Sequence, residues 1–291
     1  TDMQPDLVWI KNRDAADSNC VFDSVRGATK LWSPDGTAAE STDADTLDSF
    51  TSDGFQVDAD VKVNTNAEKY VAWCWKESAT SGFDIVTFTG NQTARTISHS
   101  LSAVPEFMII KNREYADGAH VYHVSNGATC TMEIAGSGAK NCSGVTGIWN
   151  DTTPTSSVFS VGDNGNINRT DDVIFVYLFS GKQGFSKFGS YEGNGNADGT
   201  FVFCGFRPAF ILFKKSSGTS EWSLFDTKRN TYNVVNHHLY ADLPNAEGDD
   251  DDLDILSNGF KHRRAAGNTN GSFTYIYMAF AEAPFVNSNG V

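Results

Sequence analysis

One segment occurs three times in this chain, and that recurrence limits the fold more than any other feature. Pro5-Asp-Leu-Val-Trp-Ile-Lys11 returns as Pro105-Glu-Phe-Met-Ile-Ile-Lys111 and as Pro208-Ala-Phe-Ile-Leu-Phe-Lys214, at spacings of 100 and 103 residues. A second aromatic segment follows each: Cys20-Val-Phe-Asp23, His120-Val-Tyr-His123 and Trp222-Ser-Leu-Phe-Asp226. A Ser-rich turn carrying Phe55, Phe159 or Phe260 comes next, and each copy closes on an aromatic run: Tyr70 to Trp75, Val173 to Phe179, Tyr275 to Phe280. Self-similarity at a fixed period indicates a repeated supersecondary unit. The division it predicts is 1–82, 83–184 and 185–291. The second and third copies carry a leader segment (Phe83 to Val104, Phe185 to Arg207) that the first lacks, so the first is expected to need a partner for one sheet edge.

Within a copy, short apolar runs alternate with Gly, Asn, Asp and Ser turns, and Phe outnumbers Leu by 21 to 11, a strand-and-turn bias. The expected fold is all-β: tandem β-sandwich, jelly-roll-like units of about 100 residues. The Pro-led segments are apolar at successive positions, as in a central strand covered on both faces. Each Pro is expected to open its strand, where no ladder hydrogen bond is lost. The segments Thr42 to Ser52 and Asp249 to Ser257 could each hold a short helix.

Charge narrows the partners. With 22 basic and 36 acidic residues the net is -14, which argues against nucleic acid and anionic membrane surfaces. No apolar run approaches the ~20 residues of a membrane-spanning helix.

Catalytic signatures are missing: there is no GxSxG, Walker loop, HExxH or strand-linked GxGxxG. The reading is non-enzymatic, with no catalytic residues, no metal and no cofactor. The six His residues share no ligand spacing, and adjacent His237 and His238 would point to opposite strand faces. The Asp249 to Asp254 run offers oxygen ligands to calcium but lacks EF-hand spacing, and a solvated loop accounts for it. Five cysteines at unmatched spacings are expected as buried free thiols. Cys130 and Cys142, which bracket a glycine-rich loop, form the one pair suited to a bridge. Phe22-Asp23 with Arg26 and Phe225-Asp226 with Arg229 read as structural bracing. Lys11 to Arg13 and Lys111 to Arg113 are expected to pair with nearby acids such as Asp23 or Glu114. Trp32, Trp149 and Tyr232 fall outside the repeated strands and are the weak candidates for stacking against a ligand.

The repeats, through Tyr70-Val-Ala-Trp-Cys-Trp-Lys76, Val104 to Arg113, Lys187 to Gly199, Phe225 to Asn230, Leu256 to Phe260 and Tyr275 to Glu282, resemble an uncharacterised repeat domain of structural proteins from marine tailed bacteriophages, including cyanophages. That resemblance covers nearly the whole chain. It implies a virion component on the particle surface, a tail fibre, spike or appendage serving assembly or host attachment. Its expected partners are other virion proteins and copies of itself, with a homotrimer as the first expectation, and a host surface glycan. A lectin-like receptor-binding module is the alternative, and a polysaccharide depolymerase the third reading. The second copy departs from the pattern, with Tyr122-His123 for Phe-Asp and an extra loop from Lys140 to Trp149.

Overall fold

The computed structural model describes residues 3–250, 252–265 and 267–282. The first unit holds β1 (Leu7–Asn12), β2 (Cys20–Asp23), β3 (Lys30–Leu31), β4 (Ser41–Thr42), β5 (Leu47–Thr51), β6 (Gly54–Val57), α1 (Val61–Asn64) and β7 (Tyr70–Trp75). The second holds β8 (Phe83–Thr89), β9 (Arg95–Ser98), β10 (Phe107–Asn112), β11 (His120–His123), β12 (Met132–Glu133), α2 (Thr146–Trp149), β13 (Val158–Val161), α3 (Gly165–Asn168) and β14 (Val173–Phe179). The third holds β15 (Ser186–Glu192), β16 (Phe201–Phe203), β17 (Pro208–Lys215), β18 (Ser223–Asp226), β19 (Leu239–Tyr240), β20 (Leu253–Leu256), β21 (Gly259–His262) and β22 (Thr274–Ala281). The protein is all-β, and every strand pairing is antiparallel. Thr42 to Ser52 and the described part of Asp249 to Ser257 are strand and loop rather than helix. Leu47, Leu253 and Ile255 alternate inward there, and period two satisfies that pattern. Among the described residues no helix is long and apolar enough to cross a membrane.

The same pairings recur in each unit. Leu7 faces Asp23 on one side and Trp75 on the other; Phe107 faces His123 and Phe179; Phe210 faces Asp226 and Phe280. The Pro-led strand is central in all three sheets, and β1 and β10 are buried at every position. Only Pro208 lies within its strand, where the register shifts between Pro208 and Phe210. Pro5 and Pro105 sit two residues ahead, because Asp6 and Glu106 donate to Trp75 and Phe179 carbonyls before the regular ladder begins.

Alternation along these strands sends side chains to two cores. Val8, Ile10, Phe22 and Leu47 pack inside the first unit, with corresponding cores in the second and third. The opposite faces, Leu7 and Trp9, Phe107 and Ile109, Phe210 and Leu212, meet in one cluster shared by all three units. Trp75 is the junction, with ring contacts to Phe179, Phe210 and Phe280. A void of about 10 Å³ remains at this junction, no larger than one water needs. The units are therefore not beads on a string. They form a triangle with a common apolar centre.

Corners of this triangle repeat as well. Backbone N–H groups of Glu40, Lys140 and Glu247 donate to the carbonyls of Arg113, Ser216 and Arg13, each in the neighbouring unit. At the corner between units 1 and 2, Arg26 pairs with Asp23 and Glu40, Arg113 reaches Glu40 at 2.7 Å, and Tyr177 Oη donates to Asp23 at 2.7 Å. Between units 3 and 1, Arg229 pairs with Asp226 and Glu247, Arg13 reaches Glu247 at 2.7 Å, and Trp73 Nε1 donates to Asp226 at 3.1 Å. Between units 2 and 3 the corresponding residues are His123, Asn126, Lys140, Ser216 and Met278, and His123 Nε2 meets the Tyr277 carbonyl instead. The Asp-to-His departure thus belongs to a corner where the whole charge set is replaced.

The lysines differ from expectation. Lys11, Lys111 and Lys214 are buried with Nζ on backbone carbonyls of Asn12 and Pro244, of Asn112 and Tyr115, and of Ser137 and Gly138. Burial pushes each ammonium down to about 8. Acid pairing falls instead to Arg13 and Arg113, whose longer forks cross to Glu247 and Glu40 of neighbouring units. Cys130 and Cys142 are joined in a disulfide, while Cys20, Cys74 and Cys204 are free.

Candidate functional site

The three sheets are unequal. Units 2 and 3 have five strands, ordered β12-β11-β10-β14-β8 and β15-β22-β17-β18-β19, whereas unit 1 has three, β2-β1-β7. The difference that matters lies beside the closing aromatic strand. β14 is covered by β8 over seven residue pairs, and β22 by β15 over seven. Among the described residues no strand pairs with the other side of β7.

Which backbone groups this leaves open follows from the register. Arg13 N–H donates to the Lys69 carbonyl, continuing the ladder in which Lys11 faces Val71 and Trp9 faces Trp73. Those positions exchange hydrogen bonds with β1, so by antiparallel alternation Ala72 and Cys74 turn their N–H and C=O outward. Their counterparts face strands: Val176 faces Val86 and Leu178 faces Asp84; Tyr277 faces Gly189 and Ala279 faces Lys187. The sequence places small side chains, Ala72 and Cys74, along the open edge. Burial raises the Cys74 thiol to about 11, which keeps it protonated and unreactive at neutral pH.

Beside this edge runs a groove of about 370 Å³ bordered by Val71, Trp73, Trp75, Phe185, Phe210 and Phe280. Its rim carries charges of both signs, Asp226, Lys228 and Glu282, with Lys228 paired to Glu282. An open strand edge next to an apolar trough is the geometry into which an extended peptide docks: the backbone supplies hydrogen bonds and alternate side chains fill the trough.

The residues singled out from sequence do not gather here. Trp32 is buried, bridges Val21, and packs on Phe175 and Tyr177 of the next unit. Trp149 ends α2, buried against Tyr122. Both are core anchors, not platforms for a ligand. Trp32 follows Val21 at the interval by which Met132 follows Val121, a correspondence that places it, just beyond β3, at an inward position bridging Val21. Tyr232 is 85% exposed and remains available. His237 and His238 diverge, toward Glu247 and Asp250 respectively. Asp254 pairs with Arg263, and Asp251 lies outside the described residues. No group of three or more His, Cys, Asp or Glu that would hold a metal occurs among the described residues.

Two carboxyl pairs went unnoticed in the sequence. Burial and a hydrogen bond to Glu221 push Asp242 above the usual carboxylate range, and burial with a hydrogen bond to Asp84 does the same to Glu77. Such shifts occur in acid–base catalysis. Neither pair borders the central void, the β7 groove or the cavity beside His120.

The family described as Domain of unknown function (DUF7483) matches residues 1–284. No curated protein and no solved structure matches the chain.

Proposed function

The chain belongs to the DUF7483 family, and we propose that it is a non-enzymatic structural protein of a phage virion that assembles by accepting a strand from a neighbouring subunit along β7. The observation that carries this reading is that, among the described residues, no strand pairs with the outer edge of β7, which lies beside an apolar groove, whereas the two equivalent edges pair with β8 and β15. Exposed edges invite pairing and are normally blunted by charge, Pro or a bulge, none of which occurs within β7. Likeness to structural proteins of marine tailed phages supports placing the assembly on a particle surface, as a fibre, spike or appendage. The net charge of -14 suits a surface in salt water, where ions screen self-repulsion.

The test is Ala72→Pro. Its N–H points away from β1, so Pro removes no internal ladder bond while blocking an incoming strand. The variant is expected to fold with near wild-type stability, to remain a single chain by light scattering where the wild type associates, and to fail to enter particles. Unchanged assembly by Ala72→Pro would overturn the proposal.

A further inference from the structure

On the outward side of unit 2 a cavity of about 320 Å³ lies among β11, β12, α2 and the loop between Gly136 and Val145. The Cys130–Cys142 disulfide and reciprocal 2.8 Å hydrogen bonds between Thr131 and Asn141 hold that loop in place. His120 borders the cavity and is 6% exposed, yet neither ring nitrogen has a hydrogen-bond partner. Orphaned polar groups of this kind call for an occupant of the adjoining space.

The chemistry around His120 restricts that occupant. Burial pushes the imidazole down to about 4, so at neutral pH one nitrogen donates and the other accepts. Glu133, opposite His120 in the ladder, adds acceptors. Asn141 and Asn164 commit Oδ1 to the backbone N–H groups of Ser143 and Asn166, which leaves their Nδ2 groups to donate. Val145 and Ile148 supply an apolar wall. An anion would meet Glu133 and the overall negative charge; a metal ion would find too few ligands. A neutral ring bearing hydroxyls on its edge and C–H groups on its face matches every part of the lining, and the volume falls in the range of small-ligand sites, about 300–1,000 Å³.

We propose that this cavity binds a single sugar ring through its hydroxyls, with His120 as the central hydrogen-bonding group. The site belongs to unit 2 alone. Cys20 and Ser223, both fully buried, occupy the positions equivalent to His120, facing Ile10 and Phe213 as His120 faces Ile110. It arises with the loop that distinguishes the second copy. It is also independent of the β7 edge, so Ala72→Pro should bind sugar normally.

The experiment follows the His120 ring nitrogens by ¹⁵N NMR while glucose, galactose or N-acetylglucosamine is added to about 50 mM. The expected result is a saturable shift with one of them, at a dissociation constant on the order of 1–10 mM, as a ligand this small allows. Glu133→Ala, at an exposed position that leaves the core intact, should weaken binding about 5- to 10-fold, and His120→Leu should abolish it. No shift with any of the three sugars, or saturation by zinc or inorganic phosphate in their place, would overturn the proposal.

Discussion

Replacing Tyr177 by Phe removes one oxygen from the buried corner between units 1 and 2. That hydroxyl donates to Asp23 Oδ2 at 2.7 Å and accepts from Arg26 Nη2 at 2.8 Å. Each bond involves a charged partner and is worth about 1.5–3 kcal/mol in a dry site. Neither partner is stranded by the change. Asp23 keeps the Arg26 guanidinium and the Arg26 backbone N–H, and Arg26 keeps Glu40 and the Val21 carbonyl. The net cost should therefore lie around or just below the low end of the summed range of about 3–6 kcal/mol, at about 2–4 kcal/mol. Because the three units share one core, unfolding should be a single transition. With 291 residues at about 2.1 cal/mol/K each, the melting entropy is about 0.6 kcal/mol/K, and the variant should melt about 3–7 °C lower. Met278 occupies the equivalent place at the third corner and offers no such hydroxyl, so Met278→Leu should cost less than about 1.5 kcal/mol. Urea and thermal denaturation followed by circular dichroism measure both. A Tyr177→Phe variant within about 0.5 kcal/mol of wild type, or one that unfolds in two separated steps, would refute the idea of charged corners around a common core.

His123 is buried, with its pKa pushed down to about 4, below the ~6.5 of an unfolded chain. Its stabilising contribution is present above pH 6.5 and is lost as pH falls toward 4, so the stability gap between wild type and His123→Gln should shift against wild type by about 1.4 kcal/mol per pH unit in that window; a constant gap would contradict it. Cys130→Ser opens a loop of 12 residues and should cost about 3 kcal/mol in equilibrium unfolding under non-reducing conditions. Tyr232→Ala, at an exposed side chain, should change stability by less than about 0.5 kcal/mol, as thermal melting would show.

Much of this architecture is legible in the sequence because central strands must be apolar on both faces. Leu7 to Ile10 and Phe107 to Ile110 could form little else, and the recurring aromatic run identified their neighbours. The bracing of Asp23 by Arg26 and of Asp226 by Arg229 was likewise readable from an i, i+3 spacing common to two copies. The triangular closure was not. Leu7 and Leu212 meet across units, and no local pattern distinguishes an apolar face that packs within its own unit from one that packs on another. Trp32 packs on Phe175 and Tyr177 of the next unit, a contact no local pattern reveals, whereas Trp149 is buried against Tyr122 within its own unit. The Glu40 and Glu247 ion pairs connect residues more than 70 positions from their arginine partners in the next unit, beyond the reach of any spacing argument. The β7 edge was half legible, since leader segments recognisable only in the second and third copies pointed to an edge in the first without saying that β7, rather than β1, would carry it.

Hydrogen exchange at Ala72 and Cys74 tests the assembly claim most directly, measured once in the isolated chain and once in purified particles. In the isolated chain these two amides should exchange far faster than Val176 and Leu178 of β14, which have strand partners. In particles all four should be protected alike. Fast exchange at Ala72 and Cys74 in both settings would mean that no strand joins β7, and the proposed mode of assembly would be wrong.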